Sequence, residues 1–466
     1  MRYIPFVVIS LSLAACAVGP DFSPPAIPSA ATGSFVTMPS AVTSGDPDDH
    51  WWQLYRDPVL DTLIAQALAA NTDIRVAVAR LDKARAAVAQ VSSQQLPQPT
   101  FNGSATYGRS SAIDTIPPNS REGWRVDIGI DLAYELDLFG RIRRNVEAAH
   151  GDAIAAQEDV DAVRVAVVAE TTRAYADAAS AAARITVAKR IVELLDRGVG
   201  VATQRAAVGL TTALEPARLA ALRDQRRADL ASIKAERDAA LFRLATLIGE
   251  APAALPPTAA ARSTALALGQ PIPVGDGARL LARRPDVRAA EQRLAAATAR
   301  IGVVTADLYP KISLGGSIGS SGGVDGIFGT DATRWLAGPL ISWDINLSRT
   351  RARIMAAEAD QRAALASFDG TVLRALEETE TALSAYAQML ERQRVLRSAR
   401  DEAERAAQIT RAQRQEGGVD SLVALDAERT LAQAEADSAL ADARIADAQV
   451  DLFRALGGRW GSDSIR

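Results

Sequence analysis

Few side chains in this 466-residue chain could carry reactive chemistry. The two histidines, His50 and His150, stand far apart with no neighbours at metal-ligand spacing, and no glycine-rich phosphate loop follows a strand-like segment. No enzyme signature, metal site or cofactor site is therefore expected. What remains is charge and apolar bulk at helical spacing. Leu422 and Asp426 are four residues apart and share a helix face, and Arg429 follows Asp426 by three, within reach of an ion pair. Such residues offer a charged and apolar helix face rather than a reactive centre.

The only cysteine, Cys16, cannot form an intrachain disulfide. Met1-Arg2 followed by an apolar stretch from Tyr3 to Leu13 and then small residues has the layout of a secretory signal, so residues 1–15 are expected to be removed. Leu13-Ala14-Ala15-Cys16 resembles the lipobox of bacterial lipoproteins, which makes Cys16 the lipid-bearing first residue of the mature chain. Ala17 in place of an aspartate suits sorting to the outer membrane. An acyl chain there is the one non-protein group expected. Residues 17–57, rich in Pro, Ser, Ala and Thr up to about Pro47, read as an extended, weakly structured arm. The net charge of −4 argues against nucleic acid, and no later window is apolar enough for a spanning helix.

These residues must be positioned by two kinds of element. From Trp124 to Leu138 apolar residues alternate with Arg125, Asp127, Asp131, Glu135 and Asp137, the period of a strand with one greasy face. After Phe139-Gly140 the period changes, and Arg141 to Val208 is 68 proline-free residues of helical pattern, about 100 Å at 1.5 Å per residue. A short helix from Pro58, capped by Asp57, and a second from Ile74 to Leu96 precede it, with a strand at Phe101–Arg109 between. A return helix from Ala213 to Gly249 follows.

The pattern then begins again. An offset of 213 aligns Asn71 to Arg75 with Arg284 to Arg288, and also Leu81 with Leu294, Pro97 with Pro310 and Gly103 with Gly316. Strands at Ile312–Ser320 and Arg334–Leu347, a 68-residue helix from Arg349 to Glu416 and a return helix Ser421–Leu456 complete it. The chain thus reads as two copies of one unit, 58–249 and 280–457, joined by a connector at 250–279 and ending in a tail at 458–466. In each copy the two shorter helices together match the long one, which suggests end-to-end stacking in coiled-coil hairpins. Four strands with an apolar face are long enough to cross a bilayer, yet too few to close a barrel, and open edges cannot face lipid. Two, three or four chains would give eight, twelve or sixteen strands.

The segments YELDLFGR (Tyr134 to Arg141), RRPDVRAAE (Arg283 to Glu291), ALGGRW (Ala455 to Trp460) and CAVGPDF from Cys16 resemble the TolC/OprM-like outer-membrane efflux proteins, in the same order and over nearly the whole mature chain. The resemblance implies a mainly α fold with transmembrane β. Three chains would share a twelve-stranded barrel in the outer membrane above an α-helical periplasmic tunnel. It implies a homotrimer with a periplasmic adaptor and an inner-membrane pump as partners, and a passive exit duct for small molecules. It also implies a closed periplasmic entrance at the positions of Leu422 and Asp426, with Arg429 as ion-pair partner. Only one hairpin supplies such a ring, because the first half has Ala213 and Ala217 at the equivalent positions. Adaptor contact is expected at the exposed tips, Gly209, Leu210 and Thr211 with Gly417, Gly418 and Val419. A duct for protein or peptide export with an ABC transporter, and a lipoprotein scaffold that does not conduct, are the competing readings.

Overall fold

The computed structural model describes residues 17–113 and 120–458; the side chains of Ser421 and Leu422, and the lipidation candidate Cys16, lie outside the described residues. The arm carries β1 (Val42–Thr43), and helices α1 (Pro58–Ala70) and α2 (Thr72–Ser92) follow. Next come β2 (Gln98–Arg109), β3 (Glu122–Glu135), the 67-residue α3 (Arg141–Ala207) and α4 (Leu214–Leu247). Then β4 (Ile272–Pro273), α5 (Gly277–Arg283) and α6 (Pro285–Ala306) lead to β5 (Lys311–Gly322) and β6 (Thr333–Ser342). The chain continues through the 69-residue α7 (Leu347–Gln415) to α8 (Ser421–Leu456). Helix, strand, strand, long helix and return helix thus occur in the same order in 72–247 and 285–456.

Local chemistry explains the joints. Asp57 starts α1 by accepting from the backbone N–H groups of Val59 (2.9 Å) and Leu60 (3.2 Å). Asn71 ends that helix and caps the next, its Oδ1 accepting from Asp73 N at 2.9 Å. At the strand-to-helix elbow Asp137 accepts from Ile142 N and Arg143 N, both at 2.9 Å. Arg141 clasps Glu135 through two parallel bonds of 2.9 and 2.7 Å, the bidentate geometry a guanidinium favours.

Several boundaries depart from the sequence reading. Helix α2 stops at Ser92 instead of Leu96, with Ser93–Gln95 tightening into a 3-10 turn before Pro97. Strand β3 ends at Glu135, because Leu138 N turns back to Leu136 O and Asp137 serves as the helix cap. Strand β6 stops at Ser342, although the apolar alternation continues to Leu347. Its ladder partner Lys311 is the first residue after Pro310, which has no N–H to offer. The arm is also more ordered than its composition suggests. Val42–Thr43 pairs in parallel with Ile272–Pro273, Phe35 is buried, and Val36 N and Thr37 N donate to the Glu380 carboxylate at 2.6 and 3.2 Å.

The compact units do not coincide with the two halves of the sequence. One unit gathers 17–25, Arg80–Ala156 and Ala289–Asp369; the other gathers Ala26–Ala79, Gln157–Arg288 and 370–458. The first unit contains an antiparallel sheet of order β2-β3-β5-β6, in which the strand pair of the first half continues directly into that of the second through the β3–β5 ladder. The second contains the main apolar core, built from arm residues Phe35, Trp51, Trp52 and Tyr55, Leu60 and Ile64 of α1, Val168 and Tyr175 of α3, and Val450 and Phe453 of α8. Trp51 stacks on Phe453 with ring centroids 4.5 Å apart. The buried Asp57 is compensated there by Tyr175 Oη (3.0 Å) and Arg262 (2.7 Å).

Candidate functional site

The sheet has one apolar and one polar face, and register assigns every residue to a side. The apolar face carries Phe101 and Tyr107 of β2, Trp124, Ile128, Ile130 and Leu132 of β3, Leu314 and Ile318 of β5, and Trp335 and Ile341 of β6. Phe101, Trp124, Ile130, Ile318, Trp335 and Ile341 are all at least half exposed on it. A soluble protein would bury such a surface. Aromatic side chains mark both ends. Tyr107 and Trp124 meet edge to face at 5.7 Å near the loop end, while Phe139 stacks on Tyr309 at 4.4 Å at the helix end. The 12 residues from Trp124 to Glu135, at about 3.3 Å each and a tilt of about 45°, span about 28 Å, close to the depth of a bilayer's hydrocarbon layer.

The opposite face holds Thr100, Asn102, Ser104, Arg125, Asp127, Asp131, Ser313, Ser317, Ser321 and Arg334. Asp127 receives Arg334 at 2.6 Å and Asp131 receives Asn102 at 2.5 Å, so its charges and amides are largely satisfied across strands. Leu336 and Leu340 are the exceptions, exposed on the polar side. Strands β2 and β6 each present an outer edge with no ladder partner among the described residues.

The far ends of the hairpins are built alike. At both tips the helix closes with the same pair of backbone bonds, Gly209 N to Ala206 O with Leu210 N to Arg205 O, and Gly417 N to Arg414 O with Gly418 N to Gln413 O. Gly209 and Gly417 both have φ of +76°, the left-handed conformation this ending needs. Arg205 joins the tips by donating to Asp420 at 2.5 and 2.8 Å.

The description "Outer membrane efflux protein" belongs to a family model that matches residues 63–250 and 278–458. This chain belongs to that family. It is similar to outer membrane protein OprJ of Pseudomonas aeruginosa, with 32% identity over 462 residues, 97% of this chain and 95% of the relative. Nodulation protein T of Rhizobium leguminosarum bv. trifolii is 30% identical over 445 residues, 93% of this chain and 92% of that protein. The solved outer-membrane channel OprN superposes with a TM-score of 0.86 at 36% identity, covering 96% of this chain and 100% of that one. The protein is accordingly an outer-membrane efflux channel, not an enzyme.

In this outer membrane efflux protein Leu422, Asp426 and Arg429 sit in the first turns of α8. Asp426 and Arg429 form an ion pair of 2.8 Å within the helix, both side chains more than half exposed. Leu422 shares the helix, with its side chain outside the described residues. Gly209, Leu210, Gly417 and Gly418 are exposed at the tips, and Thr211 and Val419 are half-buried. Thr211 Oγ1 donates to Glu215 at 2.5 Å. On the same helix, Glu428 is held by Arg411 of α7, whose guanidinium keeps that carboxyl below the usual range.

The residues that sequence reasoning did not single out are those that tie α8 to its neighbours. Arg190 of α3 reaches Glu435 at 2.9 Å, and Arg397 of α7 reaches Asp442 at 2.9 Å. Arg205 and Asp420 are separated by 215 positions, so no local pattern links them. The Arg284-Pro285-Asp286 motif has a structural role. Pro285 opens α6, while buried Arg284 binds Asp286 (2.7 Å), Glu378 (2.7 Å) and the carbonyl of Ala455 (2.9 Å).

Proposed function

We propose that three copies of this chain close one twelve-stranded barrel, the β2 edge of each pairing with the β6 edge of the next, and that their hairpins continue it as a periplasmic tunnel. The observation that carries this is the four-stranded sheet, apolar on one face, polar on the other and unpaired at both edges. Unpaired backbone groups cost several kcal/mol each in hydrocarbon, so edge must meet edge. Twelve strands leave a water-filled lumen for the polar face, whereas eight would be filled by side chains. The order of elements in 72–247 and 285–456, with the sequence offsets, supports a duplicated unit as the origin of the fold.

The duct receives small molecules from an inner-membrane pump through a periplasmic adaptor docked at the tips, with a lipid on Cys16 as additional anchor. The relatives' printed roles, from a toluene efflux pump outer membrane protein to a cation efflux system protein, support the pathway while differing in substrate, as expected of a passive exit. Asp426 forms a ring of three carboxylates at the closed entrance, with Leu422 one turn above. The polar sheet face favours a duct over a non-conducting scaffold, which has no use for a hydrated inner wall.

Native mass spectrometry of the detergent-solubilised protein tests the assembly. A three-chain particle that dissociates on heating is expected. A monomer, or a particle of two or four chains, would refute the barrel.

A further inference from the structure

The residues that follow Cys16 lie in a groove that only glycine could form. Val18 N donates to Phe139 O at 3.1 Å, at the elbow between β3 and α3. A Cβ at Gly140 would fall 2.6 Å from Ala17 Cβ, and one at Gly302 of α6 would fall 2.8 Å from Val18 O. Gly19 itself, with φ of +95°, lies so close to α6 that a Cβ would sit 2.5 Å from Gly302 Cα. Two residues on, Asp21 accepts from Arg144 at 2.5 Å, and Arg144 is a buried guanidinium of α3 that also holds Glu147 at 2.9 Å. Every one of these contacts falls within a single compact unit.

The groove is not a by-product of helix packing common to both halves of the chain. Pairing Arg141 with Arg349 sets Ser348 opposite Gly140, and the offset of 213 sets Ala89 opposite Gly302. Side chains are thus present at the counterpart positions, and absent only where the N-terminal segment passes.

We infer that Ala17–Asp21 is a docking strap and that Gly140, Gly302, Arg144 and the Phe139 carbonyl form its receptor on the same chain. The strap delivers Cys16 to the strand-to-helix elbow beside the stacked Phe139 and Tyr309 rings. Resting on the lipoprotein reading of Cys16, this makes the acyl group a fixed anchor at the barrel's periplasmic rim rather than the end of a loose tether. The strap also joins β3, α3 and α6 at the point where the chain leaves the membrane.

Hydrogen exchange on the full-length protein in detergent, read on the N-terminal peptide together with that peptide's mass, tests both parts. The Val18 amide should exchange at least about tenfold more slowly than an unprotected amide. Gly302→Leu should abolish that protection while peptides of α7 stay unchanged; Gly302→Ala and Arg144→Gln, gentler changes, should reduce it. Free exchange of Val18 in the unaltered protein overturns the strap. A protected peptide that carries no lipid mass leaves the strap standing and overturns the anchor.

Discussion

Asp447 of α8 faces Asp177 of α3, and burial together with that second carboxylate pushes its pKa up to about 6 despite Arg444 and Arg173 nearby. Tyr55 Oη, which donates to Gln449 at 3.1 Å, is near enough to feel the Asp447 charge, and Arg243 of α4 binds Asp177. A carboxyl whose native value is above its unfolded value of about 3.9 binds protons better when folded, so its penalty is full above pH 6 and fades toward pH 4. Thermal stability should therefore rise as pH falls through that window. Asp447→Asn should stabilise the protein by on the order of 1 kcal/mol at pH 7.5 and by much less at pH 4.5, measured by thermal melts at both values. At the proposed aperture, Asp426 belongs to an exposed pair worth a few tenths of a kcal/mol. Asp426→Ala should leave the melting temperature almost unchanged while raising conductance in planar bilayers; unchanged conductance would remove Asp426 from the aperture.

At the scale of elements, sidedness of the sheet makes the sharpest forecast. Ile130 projects on the apolar face in register with Phe101 and Ile318, whereas Ser317 lies on the polar face opposite Asp131. Ile130→Arg should destabilise the membrane form by about 2–4 kcal/mol and reduce the amount of assembled protein in outer-membrane fractions. Ser317→Arg should be recovered at normal levels. Alternation in β3 was legible because each residue reports its own face, and the helix caps Asp57 and Asn71 were legible because capping is local. The end of β6 was not, since Trp343, Ile345 and Leu347 keep the strand period past the point where Pro310 ends the partner ladder. Nor was the pairing of Val42 with Ile272, two short segments brought together from distant parts of the chain.

At the scale of the whole molecule, the two sequence halves are not separate bodies: their strand pairs join through the β3–β5 ladder into one sheet, and helices of both halves share one core. The offsets in the sequence pointed to duplication, but not to this joining, which depends on contacts between residues hundreds of positions apart. Arg284 shows the consequence. It ties the start of α6 to α7 through Glu378 and to the end of α8 through the Ala455 carbonyl. Arg284→Ala leaves Glu378 without its cation and the carbonyl without its donor, and should lower stability by about 3 kcal/mol, visible in chemical denaturation of the solubilised protein. The central claim, that the polar faces of three sheets enclose a water-filled exit path, is tested most directly by single-channel recording of the purified protein in planar bilayers. Discrete, ohmic conductance steps that vanish when the protein is heated to monomers are the expected result. Inserted, intact trimers that carry no current would contradict it.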